Sequence, residues 1–147
     1  MARNLVDEVI ARLGQSSERG MRMSQAAAAR AGVNPTDMQC LQLLQRGPMP
    51  AGELARLAGL TTASTTALLD RLERAGYVTR TRDAGDRRRV IVALDPQTTR
   101  AEIAPLYAPL IRSWRRTLAG YSDRDLAVIV RFLDEVVEAF DQQIERP

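Results

Sequence analysis

The sequence predicts a mainly α-helical fold carrying one small β-hairpin. Three observations lead there. Apolar residues recur at helical spacing along most of the chain. Residues 78–94 alone change to strand-favouring runs around a tight polar turn. Glycine, proline and short polar residues fall where helices start and stop. At 147 residues the chain is long enough for one domain with a real core and short for two, so residues 1–147 are read as a single domain. Hydrophobic residues make up 45% and charged residues 27%, within the globular range.

In order, Leu5, Val6, Val9, Ile10 and Leu13 open a long first helix that continues through alanines towards Arg30, with Gly14 and Gly20 as places where it bends or frays. Asn34-Pro35 starts a second helix, as a capping side chain followed by proline at the first helical position. Met38, Leu41 and Leu44 line one face, and Gly47-Pro48 ends it. A third helix starts near Pro50 and runs through Leu54 and Leu57 to Ala58. Gly59 then turns the chain into a fourth, capped by Thr61. In that helix Thr65, Leu68, Leu69 and Leu72 form the inward stripe, leaving Thr62, Ala63, Ser64, Thr66 and Ala67 outside. Gly76 is placed to stop it, with Tyr77 folding back on Leu72.

Strands are expected over Val78–Arg82 and Arg88–Leu94, joined by the turn Asp83-Ala84-Gly85-Asp86, with Asp95-Pro96 ending the second. A helix follows over about Thr99–Ala119, and Pro105 and Pro109 predict that it is kinked or starts late. Ser122 with Asp125 resembles a capping box, and opens a last helix expected to bury Leu126, Ile129, Val130, Leu133, Val136, Val137 and Phe140.

Composition narrows the chemistry. Histidine is absent, which removes the commonest general base and metal ligand. There is no glycine-rich phosphate loop, so neither an enzyme nor a cofactor is expected. One cysteine, Cys40, permits no intrachain disulfide. The opening MARNLVDEVIARL lacks the apolar core of a signal peptide, and no run approaches the roughly 18 apolar residues of a membrane span. A cytoplasmic protein without membrane contact is expected. Net charge is only +3, but all 21 basic residues are arginine. Seven of them lie between Arg71 and Arg89, whereas the chain from Asp123 onward is mostly acidic. That asymmetry suits one pole facing phosphates.

Three short helices followed by a basic hairpin is the order of a winged helix-turn-helix. A helix about 10–12 Å across fits a major groove about 12 Å wide, and a thin arginine-bearing ribbon reaches the adjacent minor groove. The stretches GPMPAGELARLAGL, LLDRLERAGYVTR and DAGDRRRVIVAL resemble the MarR family of bacterial winged-helix transcription regulators, the last being similar to its D-x-x-D-x-R wing. The resemblance covers nearly the whole chain. It departs at Asp95 and Thr98, where the family usually has threonine and then glycine, and at Pro50, where a hydroxyl cap is usual.

The resemblance implies a DNA-binding lobe over residues 34–95, with residues 1–33 and 97–147 as dimerisation helices. It places Thr62, Ala63, Ser64, Thr66 and Ala67 in the major groove, Asp86 as the residue orienting the wing, Arg88 in the minor groove, and Arg80 and Arg82 on backbone phosphate. Arg87, Arg88 and Arg89 together have little packing use on a thin ribbon, which favours binding. Arg71 and Arg74 are read as solvated, with an Asp70–Arg74 pair along the helix. The implied partners are a pseudo-palindromic double-stranded DNA operator, a second copy of the chain, and a small anionic or phenolic effector that releases a repressor. The rival reading is a winged-helix module whose wing meets an acidic protein. Cys40, a peroxide sensor in some members of the family, falls on an apolar face and is read as inert. Tyr107 and Trp114, candidates for an effector cavity, are read as core or interface residues, as are Met21, Met23 and Met38.

Overall fold

A computed structural model describes residues 4–147, with helix α1 at Leu5–Ala31, α2 at Pro35–Leu44, α3 at Ala51–Ala58 and α4 at Thr62–Arg74. After the hairpin come a short helical turn α5 (Pro96–Thr98), a π-helical turn (Thr99–Ile103), α6 (Ala104–Leu118) and α7 (Asp123–Ile144). Residues 1–3 of the expected dimerisation segment 1–33 lie outside the described residues. The chain forms two compact units, one ending at Tyr107 and the other Ala108–Pro147.

The first unit owes its shape to well-defined helix ends. Asn34 caps α2 reciprocally with Asp37: its Oδ1 accepts the Asp37 N–H at 2.8 Å, and Asp37 Oδ2 accepts the Asn34 N–H. Thr61 Oγ1 accepts the Ser64 N–H at 3.1 Å to start α4. At the other end of α4, Gly76 has φ +82°, a conformation that costs glycine nothing. The Tyr77 N–H bonds back to the Leu72 carbonyl and the Gly76 N–H to that of Glu73, the paired bonds of a Schellman stop. Met38, Leu41 and Leu44 of α2, Leu54 of α3, and Leu68, Leu69 and Leu72 of α4 meet in one buried core with Tyr77, Val78, Val92 and Ile103.

Several expectations about the elements need correcting. The sheet has three strands, not two: β1 (Met49–Pro50) pairs antiparallel with β3 (Val90–Leu94), which pairs in turn with β2 (Val78–Arg82). A two-residue strand is too short to leave a periodic signal. Pro50, the cap of α3 without a side-chain hydrogen bond, is also an edge-strand residue, where proline's missing N–H is tolerated. Next, β3 starts at Val90, so Arg88 and Arg89 lie in the wing loop and not in the strand. Third, α1 is helical throughout, past Gly14 and Gly20.

The fourth concerns the helix carrying the prolines: α6 starts late, at Ala104, as one of the two expectations had it, but the chain before it is already helical from Pro96. Asp95 Oδ1 accepts the Thr98 N–H at 2.8 Å to cap α5, filling the place where the family's threonine stands. The π turn then leads into α6. Its wide bond from the Ala104 N–H to the Thr99 carbonyl immediately precedes Pro105, which has no N–H to give. Pro109 lies inside α6.

The second unit has no buried residue in the chain taken alone. Ser122 and Asp125 form the expected capping box. The face expected to be buried is open instead: Leu126, Ile129 and Val136 are half-buried, while Val130, Leu133, Val137 and Phe140 are about half exposed. Ile111, Trp114 and Leu118 of α6 are also exposed. No helix among the described residues is long and apolar enough to cross a membrane.

Candidate nucleic-acid interface

The expected reading residues share one face of the first unit. Thr65, Leu68, Leu69 and Leu72 are buried, which turns Thr62, Ala63, Ser64, Thr66 and Ala67 to solvent. Their hydroxyls are not equivalent. Thr66 Oγ1 donates to the Thr62 carbonyl at 3.0 Å, so it faces outward with acceptor lone pairs. Ser64 Oγ accepts from Thr61 Oγ1 at 2.9 Å, which leaves its own proton free to donate. The N–H groups of Thr62 and Ala63 lie in the first turn, where an α-helix has no carbonyl to offer them. With the helix dipole they make an electropositive tip. Ala51, Gly52 and Ala55 of α3 line a groove with Thr62 and Thr66, and Arg80 and Val90 of the hairpin line it too, so the α3 side of the tip is walled by small residues and the hairpin side by a clamped arginine.

The wing is folded by its aspartates. Asp83 Oδ1 accepts the Gly85 N–H at 3.1 Å, and Asp86 Oδ1 accepts the Arg88 N–H at 3.0 Å. The Arg89 N–H bonds to the Asp86 carbonyl and the Asp83 N–H to the Arg89 carbonyl. These are Asx-type turns, in which a short carboxylate stands in for a backbone acceptor. Asp86 thereby fixes the loop from which Arg87 and Arg88 project.

The arginines divide in a way that residue type alone does not reveal. Arg82 Nη1 donates to the Arg87 carbonyl at 2.8 Å, bracing the base of the wing. Arg89 lies 3.7 Å from Asp83. Arg80, expected to be available for phosphate, is spoken for: its Nη2 binds Asp70 at 2.7 Å and its Nε binds Glu73. Those two carboxylates, Glu73 foremost, hold its proton more firmly than usual. Arg71 is exposed, as expected, and in addition reaches the nearly buried carboxylate of Asp37 on α2 at 2.9 Å. The expected Asp70–Arg74 pair is therefore replaced by links between elements. The side chains of Arg87 and Arg88 are exposed and have no partner among the described residues.

Elsewhere, the Cys40 thiol is fully buried and pushed up to about 11 by burial and then by Asp37, so it stays protonated and unreactive at neutral pH. Tyr107 packs against the core, and its hydroxyl accepts from Gln42 Nε2 at 2.6 Å. Trp114 and Met21 are exposed, Met23 is half-buried and Met38 is buried. No cluster of candidate metal ligands occurs among the described residues.

A family model described as MarR family matches residues 31–89, from the end of α1 to the wing. YcgE of Bacillus subtilis (strain 168), described as an HTH-type transcriptional regulator, is 41% identical over 124 residues, which span 83% of this chain and 79% of YcgE. Among solved structures, a MarR family protein from Bacillus stearothermophilus is 26% identical with a TM-score of 0.67, covering 96% of this chain and 99% of that one. A MepR variant from a multidrug-resistant S. aureus clinical isolate shares the fold at 16% identity, with a TM-score of 0.72 and coverage of 89% and 96%. Reading tip, wing and relatives agree: this chain belongs to the MarR family of winged helix-turn-helix transcriptional regulators.

Proposed function

We propose that this regulator acts as a non-enzymatic, cytoplasmic homodimer that binds a pseudo-palindromic operator, represses from it, and leaves it when a small anionic or phenolic effector binds. One observation carries the DNA reading. The tip of α4 presents unbonded donors, and the neighbouring wing carries two arginines, Arg87 and Arg88, that have no partner among the described residues. Ser64, as donor, suits acceptors such as guanine O6 and N7, whereas Thr66, as acceptor, suits the amino groups of adenine or cytosine. The methyls of Ala63 and Ala67 suit thymine methyls. Arg88, and Arg87 beside it, serve the minor groove or its phosphates. Arg80, Arg82 and Arg89 shape the surface more than they touch DNA.

The dimer reading is supported in each unit separately. In α1, Leu5, Val6, Val9 and Ile10 are exposed. In the second unit Trp114, Val130, Leu133, Val137 and Phe140 are exposed. Apolar surface of this extent marks an interface. A two-fold pair of heads about 34 Å apart would meet successive major grooves. Effector release is supported by family membership.

Selection of bound fragments from random duplex DNA tests the proposal, and a palindromic motif is expected. In salt titrations, replacing Arg87 and Arg88 by alanine should weaken binding and flatten the log–log slope by about one per lost phosphate contact. Equal and negligible binding by wild type and variant at every salt concentration would overturn the DNA reading and favour an acidic protein partner.

A further inference from the structure

Tyr77 stands where the reading helix, the wing and the two flanking helical segments meet. Its N–H closes the stop of α4 on the Leu72 carbonyl, and its carbonyl accepts the Asp95 N–H at 2.8 Å, just beyond β3. The ring is 4% exposed, within the core. A phenylalanine would fill that space equally well, so the hydroxyl has a separate task. It lies 3.2 Å from the Ala31 carbonyl and 3.0 Å from Glu102 Oε2. Ala31 is the last residue of α1, where carbonyls have no intrahelical donor. Glu102 belongs to the π turn that leads into α6.

The π turn is itself costly. The Thr99 hydroxyl is buried with no hydrogen-bond partner among the described residues, and Pro105 withdraws a donor just beyond. Single π turns are rare and recur at functional sites. The Glu102–Tyr77 bond is a side-chain tie between this turn and the reading head. One hydroxyl proton shared between two acceptors makes the joint responsive to either flanking segment.

We propose that the Tyr77 hydroxyl and Glu102 set the angle at which the reading head is held on its two flanking helical segments, so that Tyr77 is a positioning residue for half-site spacing. This rests on the dimeric, operator-reading function proposed above. Loss of the tie leaves the DNA face intact and widens the range of head orientations. The cost is then felt only when two heads must engage one duplex together.

The test compares wild type, Tyr77→Phe and Glu102→Ala on a selected operator, on a single half-site, and on operators with one base pair inserted or removed between half-sites. Both variants should melt close to wild type and bind the half-site equally well. Their preference for the native spacing should fall by about fivefold to tenfold, the value of one modest hydrogen bond. The double variant should lose no more than either alone. Full retention of spacing preference, or a parallel loss on half-site and operator, overturns the positioning role while leaving the dimer reading intact. Wild type binding a half-site as tightly as the operator overturns both.

Discussion

The two units make opposite use of similar apolar sequence. In the unit ending at Tyr107, helical stripes converge: Leu54, Leu68, Leu69 and Leu72 are each at most 2% exposed. In Ala108–Pro147 an equally regular stripe leaves Leu133, Val137 and Phe140 about half exposed. Periodicity therefore reports that a face is to be covered, and not by what. Around α4 the first unit supplies its own cover, because α2, α3 and the sheet share one core with it, whereas the start of α1 stays exposed. The second is two helices long, and two helices cannot enclose a core between them. Its stripe fits the proposed second copy of the chain.

The comparison can be broken most forcefully at the open face. Val137→Asp with Phe140→Asp should give a monomer by sedimentation velocity, with helical content of the head retained. Operator affinity should fall by about a hundredfold or more as the second head ceases to be tethered. A variant that stays dimeric would put the interface elsewhere. Next in size is a matched pair of truncations. Leu68→Ala should cost about 2–5 kcal/mol of stability, as buried leucines do, and the loss should not depend on protein concentration. Leu133→Ala should instead weaken dimerisation, so that its melting temperature falls further below wild type as protein concentration is lowered. Identical behaviour of the two in thermal melts across a concentration series would erase the distinction between the units.

The smallest effect lies at the edge of the head. The Asp95 carboxyl sits below the usual carboxylate range, chiefly because it accepts the Thr98 N–H and then through the Thr98 side chain. A depressed folded value means that its stabilisation is present above the unfolded value and lost as pH falls through the folded one. Asp95→Asn, which mimics the protonated form, should therefore melt slightly below wild type at neutral pH. The difference should close as both are acidified through and below the carboxylate range. A gap that persists in acid would show that charge is not what the cap uses.

Much of the head, and the start of α7, could be read directly from residues. Asn34-Pro35, Thr61, Gly59, Gly76 and Ser122 act within four positions of themselves, so their capping roles follow from local sequence. The outward set Thr62 to Ala67 followed from the helical period alone. The arginines were harder. Arg80 and Arg88 are chemically the same residue on the same hairpin, yet one is clamped by Asp70 and Glu73 and the other is free of partners among the described residues. No spacing rule separates them, because the acidic partners come from a different element. Glu102 gave no signal at all. Its link to Tyr77 spans 25 positions and depends on a π turn that residue preferences do not encode.

Interactions between near neighbours in sequence thus set the helices, their ends, the wing turn and the face that looks outward. They act at fixed offsets, and geometry does the rest. The pairing of β1 with β3, the fate of each arginine, the tie at Tyr77 and the open stripe of α7 needed the folded chain. Each depends on which distant segments are brought side by side, and a carboxylate arriving from another helix changes what an arginine can do.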